Sequence, residues 1–232
     1  MFGRKGDPAA PLARCMTRQQ EFWFACAAGD AAAVQRLSGE KGVDTEGGTH
    51  HGFCAACRNG HDQVIRWFCA TRDVIPTAYR GEKSVAIHRG LVCACEGGKL
   101  EVVQYLLSLL HCVPAKVFAH AYEAACRRGH VDLVAYLEGH EKGDLHAVRW
   151  PRTMRKACRR GHVQVAHLIL RSCPSLGLFT DLFWQGVYYG ACRRAKPRVM
   201  AFVEDTVYGS IPPGWMKDKD GHLWRCKLWV LS

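Results

Sequence analysis

The chain has 232 residues, 48% of them apolar, an ordinary share for a folded protein that excludes disorder as its overall state. No stretch approaches 18 uninterrupted apolar residues, and no signal-peptide-like run comes after Arg4 and Lys5, so neither a membrane span nor secretion is expected. A formal net charge of +11 points to an anionic partner, whether nucleic acid, an acidic protein or an anionic membrane surface.

Residues 1–17 hold Gly, Pro, Ala and basic residues without periodicity and read as a flexible N-terminal tail. From there a short signature recurs six times. It runs Ala25-Cys26-Ala27-Ala28-Gly29-Asp30, Ala56-Cys57-Arg58-Asn59-Gly60-His61 and Ala94-Cys95-Glu96-Gly97-Gly98-Lys99. It continues as Ala125-Cys126-Arg127-Arg128-Gly129-His130 and Ala157-Cys158-Arg159-Arg160-Gly161-His162, then closes on a worn copy, Ala191-Cys192-Arg193-Arg194-Ala195-Lys196. Recurrence at this spacing predicts a stack of small units between 18 and 206, near 18–48, 49–86, 87–117, 118–149, 150–182 and 183–206.

Each unit carries two apolar stripes at helical spacing. Four residues before the cysteine stand Phe22, Phe53, Leu91, Tyr122, Met154 and Tyr188, which with the alanine and cysteine form one buried helix face. The glycine three residues after the cysteine predicts a left-handed cap that ends this helix, and Ala195 weakens that prediction in the sixth copy. Beyond the glycine come Ala33, Val34 and Leu37; Val64, Ile65 and Phe68; Val102, Val103 and Leu106. Leu133, Val134 and Leu137; Val165, Ala166 and Ile169; Val199, Met200 and Val203 complete the set, again one face of a helix. The expected fold is all-α, an α-solenoid of about six helix-turn-helix units.

These positions resemble the ankyrin repeat over roughly Gln19 to Asp205, in the apolar residue, the Ala-Cys pair, the glycine with His after it, and the valine–leucine pattern of the second helix. HEAT- and TPR-like stacks are the structural alternative, with longer units or other signatures. The Thr-Pro-Leu-His opening of the ankyrin family is absent; where its histidine would stand are Trp23, Cys54, Val92, Glu123, Arg155 and Tyr189. Irregular loops are therefore expected in place of the family's hairpin fingers. Degenerate repeats of this kind are similar to those of large DNA viruses and protists.

The second and third cysteines lie further apart than the rest, which places an insertion within 71–88; Pro76, Tyr79, Arg80, Gly81, Glu82 and Lys83 suggest an exposed loop. After Asp205 the pattern changes. Residues 207–232 contain Asp220-Gly221 between aromatic and apolar residues, a hairpin signal, and three tryptophans, Trp215, Trp224 and Trp229. A short C-terminal cap over the last helix pair, or an aromatic docking tail, fits that composition.

Thirteen cysteines would imply disulfides in a small secreted chain. Here six share one register of the repeat, spaced about 10 Å apart by helix packing, whereas a disulfide needs Cα atoms within about 7 Å. They are expected to be reduced and buried, which fits a cytoplasmic or nuclear protein. Cys57 and His61, Cys126 and His130, and Cys158 and His162 have a metal-like i, i+4 spacing, but a glycine turn intervenes and no unit supplies four closed ligands. No nucleophile elbow, P-loop, Rossmann glycine pattern or H-E-x-x-H occurs. No cofactor, metal or enzymatic activity is expected.

The candidate binding residues are Arg58, Arg127, Arg128, Arg159, Arg160, Arg193 and Arg194, all just after register cysteines. One basic residue per helix end is explained by the helix dipole; arginine pairs in three successive units are not. In ankyrin repeats the corresponding positions border the concave surface where partners dock, so the resemblance implies a basic concave strip on a non-enzymatic protein-interaction scaffold. An acidic protein partner is favoured. Nucleic acid is the alternative, disfavoured because single-strand recognition wants exposed aromatics among the cations and most aromatics here fall at core register. The chain is expected to act as a monomer, without a membrane partner.

Overall fold

A computed structural model describes residues 16–43, 49–71, 82–110, 112–141, 143–208, 215–217 and 223–225. The described residues form helices α1 Arg18–Ala28, α2 Ala31–Ser38, α3 Thr49–Asn59, α4 Asp62–Thr71, α5 Glu82–Gly97 and α6 Leu100–Leu109. They continue with α7 Ala115–Arg128, α8 Val131–Glu138, α9 Trp150–Arg160, α10 Val163–Ser172, α11 Asp181–Cys192 and α12 Pro197–Val203, extended by a π-helical turn Glu204–Tyr208. Two short strands, β1 Trp215–Lys217 and β2 Leu223–Arg225, pair antiparallel with Met216 opposite Trp224. They flank the Asp220-Gly221 hairpin signal, which itself lies outside the described residues, as do Trp229, residues 1–15 of the tail and residues 72–81 of the insertion. The described residues are all-α apart from this ribbon. No helix among the described residues is long and apolar enough to cross a membrane.

The chain divides into two compact units, Met1–Ala94 and Cys95–Ser232, with the division inside α5. In the first, α1 packs on α2 and α3 on α4, while α1 lies beside α3 and α2 beside α4. In the second, α7 lies beside α9 and α9 beside α11, forming one layer; α8, α10 and α12 form the other in the same order. Two layers of equivalent helices are what a repeating helix pair produces when a lone pair cannot cover its own apolar faces.

The apolar stripes account for this packing. The residues four before the cysteine are all at most 1% exposed, and Cys26, Cys57, Cys95, Cys126 and Cys158 are buried beside them. The second-helix residues are buried as well, except Ala33, which is half-buried. Each large side chain removed from water contributes about 1.5–3 kcal/mol. Part of the insertion is absorbed by α5: Glu82 and Lys83, read from sequence as exposed loop, are helical, because the first helix of this unit starts well before its apolar stripe.

The turn between the two helices of a unit has the same left-handed glycine in the first five units. Gly29, Gly60, Gly98, Gly129 and Gly161 all have positive φ, between 70° and 90°. The register alanine's carbonyl then accepts two bonds, as in Gly129 N–H and His130 N–H on Ala125 at 2.9 and 3.2 Å. Ala195 takes the left-handed conformation too, φ 48°, and Lys196 N–H bonds Ala191 at 3.0 Å, so the worn copy keeps the turn without the glycine. Its helix ends earlier, at Cys192.

Residues flanking the glycine tie one unit to the one before. His61 Nε2–H donates to the Ala27 carbonyl at 2.8 Å, and Asn59 Nδ2 donates to the same oxygen at 2.7 Å. His130 Nε2–H donates to the Glu96 carbonyl at 3.1 Å, and the backbone of Arg127 bonds His162. Each ring lies against the preceding unit's glycine, so a Cβ at Gly29, Gly98 or Gly129 would overlap it. At Gly161 the neighbour is Lys196 instead, whose Cδ would lie 3.5 Å from an added Cβ.

Gly129→Ala and Gly161→Ala start from similar left-handed backbones, φ 85° and 90°, and share a conformational cost of about 1–2 kcal/mol. Only Gly129→Ala also displaces a histidine, so it should melt lower than Gly161→Ala under the same conditions. Equal losses in denaturant titrations would show that the ring contact contributes nothing.

Candidate interaction face

The layer of α7, α9 and α11 brings several of the sequence-predicted arginines together. Arg159 and Arg160 are exposed in the last turn of α9, and Arg128 is exposed at the end of α7. Arg160 is held below the usual arginine range, first by burial and then by repulsion from Arg127, Arg159 and Arg128. These four guanidinium groups therefore share one electrostatic neighbourhood. The other three do not join it in the same way.

Arg127 forms an ion pair with Glu96, at the end of α5, and its Nε is buried without a hydrogen-bond partner among the described residues. Its first role is to bind one helix pair to the next. Arg193 caps α11, and Arg194 sits in the turn beyond, bonding back to the Gly190 carbonyl at 3.0 Å, so this pair does not occupy a helix end as Arg127–Arg128 and Arg159–Arg160 do. Arg58 is exposed in the last turn of α3, in the other compact unit, and donates to Cys93 Sγ at 3.7 Å.

Alignment on the register cysteine also brings out residues on its N-terminal side. Those three and six before it face outward on α9 and α11: Arg155 and Arg152, then Tyr189 and Gly186. With Lys156, half-buried, α9 carries five cations on two turns and contains no carboxylate. Among the described residues none of Arg128, Arg152, Lys156, Arg159 and Arg160 forms an ion pair. Lys156 is held below the ordinary lysine range by burial, then by Arg152, with Arg127 and Arg149 adding to the effect and Glu123 opposing it. Sequence reasoning from the arginine pairs missed these residues, although the signal was present as a helix-spaced basic stripe, Arg152, Arg155, Lys156, Arg159.

Glu123 is the one carboxylate facing this stripe from α7, and it is already engaged. Its side chain is 8% exposed and takes both Nε and a terminal nitrogen of Arg149, at 3.2 and 3.1 Å, plus the Arg149 backbone N–H at 3.3 Å. Arg149 immediately precedes α9, so this bidentate pair fixes where the next unit's first helix begins. Glu123 stands three residues before its register cysteine and supplies a polar tether there.

The cysteines take no visible part in a binding centre. Burial pushes the Cys26 and Cys158 thiols up to about 12, away from reactive thiolates. The described cysteines are free thiols, and outside the register Cys54 meets Cys93, a contact between consecutive first helices that the repeat period did not predict; this bond and burial raise the Cys54 thiol strongly. The histidines four residues after the cysteines turn back to the preceding unit's carbonyls. Among the described residues no three His, Cys, Asp or Glu side chains gather into a group that could hold a metal ion. No family model matches this chain, and no curated protein matches its sequence.

His162 stands between the two arginine pairs and gives the site a pH signature. Burial first, then Arg160, His130 and Lys196, hold it below the ordinary imidazole value of 6.5, against the opposing bond to the Arg127 backbone. The unfolded chain therefore binds more protons at this residue just below pH 6.5. Its contribution to stability is fully present above that pH and falls as the solution is acidified towards the folded-state value. His162→Gln should remove that component, so the stability difference between parent and variant should shrink as pH falls from 7.5 to 5.5. A difference independent of pH would contradict it.

Proposed function

We propose that the chain is an α-solenoid of degenerate ankyrin-like repeats that works as a non-enzymatic protein-interaction scaffold, binding an acidic partner through the face of its first helices. The single observation that carries this reading is the basic stripe of α9. Five cations on eleven residues, none in an ion pair among the described residues, repel one another in the free protein. A polyanionic ligand relieves that repulsion and adds attraction, so it gains from both. Rigid helices display the charges and most polar tethers are already used inside the stack, which suits recognition rather than chemistry. Free register thiols, buried in all units but the sixth, where Cys192 is half-buried, fit a reducing cytoplasmic or nuclear setting.

Nucleic acid remains the second reading, and one observation favours it more than the sequence did: Tyr189, 46% exposed, stands on the same face as the arginines. A single strand could place phosphates on α9 and stack a base on the ring. The two readings separate by probe. A phosphate backbone gives binding to unrelated sequences that collapses as salt rises to physiological strength.

Arg127 is unsuitable for the decisive substitution because of its bond to Glu96. Arg128→Glu, Arg159→Glu and Arg160→Glu together should weaken a glutamate-rich peptide by at least about tenfold, with unchanged helicity. Lys41→Glu, Arg171→Glu and Arg198→Glu make the same change in charge elsewhere and should weaken it far less. Equal effects of the two triple variants, in fluorescence anisotropy at physiological salt, would reduce the binding to overall charge and sink the assignment to this face.

A further inference from the structure

The first-helix face changes character abruptly between α9 and α11. Six residues before the register cysteine, α9 has Arg152 and α11 has Gly186; three before it, Arg155 gives way to Tyr189. One turn before Gly186 stands Leu182, 72% exposed, among the most exposed large apolar side chains described. Leu182, Gly186 and Tyr189 keep the i, i+4, i+7 spacing of one helix face.

Gly186 has no backbone reason to be glycine. It lies in the middle of α11, where glycine is disfavoured relative to alanine, and its φ is not left-handed. It has no packing reason either, since a Cβ built there meets nothing within 4 Å. The missing side chain leaves open space at Gly186, which on helix spacing is a notch in this face between Leu182, one turn before it, and Tyr189, one turn after. The α9 side of the notch is charged: the Arg155 guanidinium lies over the ring of Phe183, the residue after Leu182, 5.3 Å from its centroid.

We infer that this notch is the anchor subsite of the binding face, taking one bulky apolar side chain of an extended acidic peptide whose carboxylates lie along α9. The inference rests on the proposed reading of the face as a site for acidic partners. Charge complementarity selects the flanking residues of the ligand, and the apolar walls select its centre. Interfaces draw most of their affinity from such a desolvated anchor, while rim charges chiefly guide approach and register. The requirement for both features makes the partner an acidic segment interrupted by a Phe, Leu or similar residue, rather than a uniform polyanion.

The test compares two synthetic peptides of equal negative charge, one with a central phenylalanine and one with serine there. The parent protein should prefer the phenylalanine peptide by about tenfold. A Cβ at Gly186 meets nothing within 4 Å and leucine favours the helix, so Gly186→Leu should melt no lower than the parent while filling the notch and abolishing the preference. Arg152→Glu with Arg159→Glu should weaken both peptides and keep the preference. If the parent binds both peptides equally, or Gly186→Leu retains the preference, the anchor is wrong although the acidic-partner reading stands. If neither peptide binds, both fall. An oligonucleotide that displaces the phenylalanine peptide and itself binds Gly186→Leu undiminished would give the face to nucleic acid and overturn the anchor.

Discussion

A glycine in the left-handed conformation, with the next unit's histidine lying on it, recurs at Gly29, Gly98 and Gly129 and is the junction on which the arrangement of those helix pairs depends. The glycine ends the first helix and turns the chain into the second within two residues. Its missing Cβ then leaves room for an imidazole from the next unit, whose Nε2–H satisfies a carbonyl at the end of the preceding first helix. That carbonyl is one of the orphan acceptors every helix end leaves. One small residue thus serves the turn inside a unit and the contact between units. The apolar stripes supply most of the favourable free energy, but they are nearly interchangeable in shape. The glycine and histidine define the register at which one pair meets the next.

Polar tethers between first helices reinforce the register. Glu123 grips Arg149 across consecutive first helices, and Arg127 grips Glu96. Inside single units, Tyr122 donates to Glu138 at 2.8 Å and Tyr188 to Glu204 at 2.7 Å. Both pairs span the same sequence separation, and the four units without a tyrosine at this place have no glutamate at the matching position: Phe22 corresponds to Ser38, Phe53 to Cys69, Leu91 to Leu107 and Met154 to Leu170. A buried hydroxyl needs a partner, so the two residues change together. These bonds consume much of the polar capacity of α7 and leave α9, which has no carboxylate of its own, as the charged element of the face.

The helices, their buried stripes and the glycine caps were legible from the cysteine register because burial and the left-handed turn impose periodic, residue-specific demands. Ala195 shows the limit of that reading: the turn survives without glycine because Ala191 still accepts the bond from Lys196. The start of α5 at Glu82 is not legible in the sequence, since a helix that extends beyond its apolar stripe leaves no periodic mark. The histidine contacts were hidden for another reason. They join residues of different units, and sequence spacing measures distance along the chain rather than across a stack. The arginine pairs looked equivalent in sequence, yet Arg127 is committed to Glu96 and Arg193–Arg194 fall beyond a shortened helix. Their partners differ: Arg127 pairs with Glu96 of the preceding unit, while Arg194 bonds the Gly190 carbonyl of its own helix. The Leu182, Gly186 and Tyr189 face, by contrast, is legible from helix spacing alone, on the N-terminal side of the register cysteine.

A double-mutant cycle between Gly129→Ala and His162→Ala tests the junction most directly. If the ring and the missing Cβ are complementary, His162→Ala opens the space that the new methyl needs. The double variant should then be more stable than the sum of the two single losses by about 1 kcal/mol, within the range typical of residues in contact. Additivity to within about 0.5 kcal/mol would mean that the two residues do not meet, and would contradict the register mechanism.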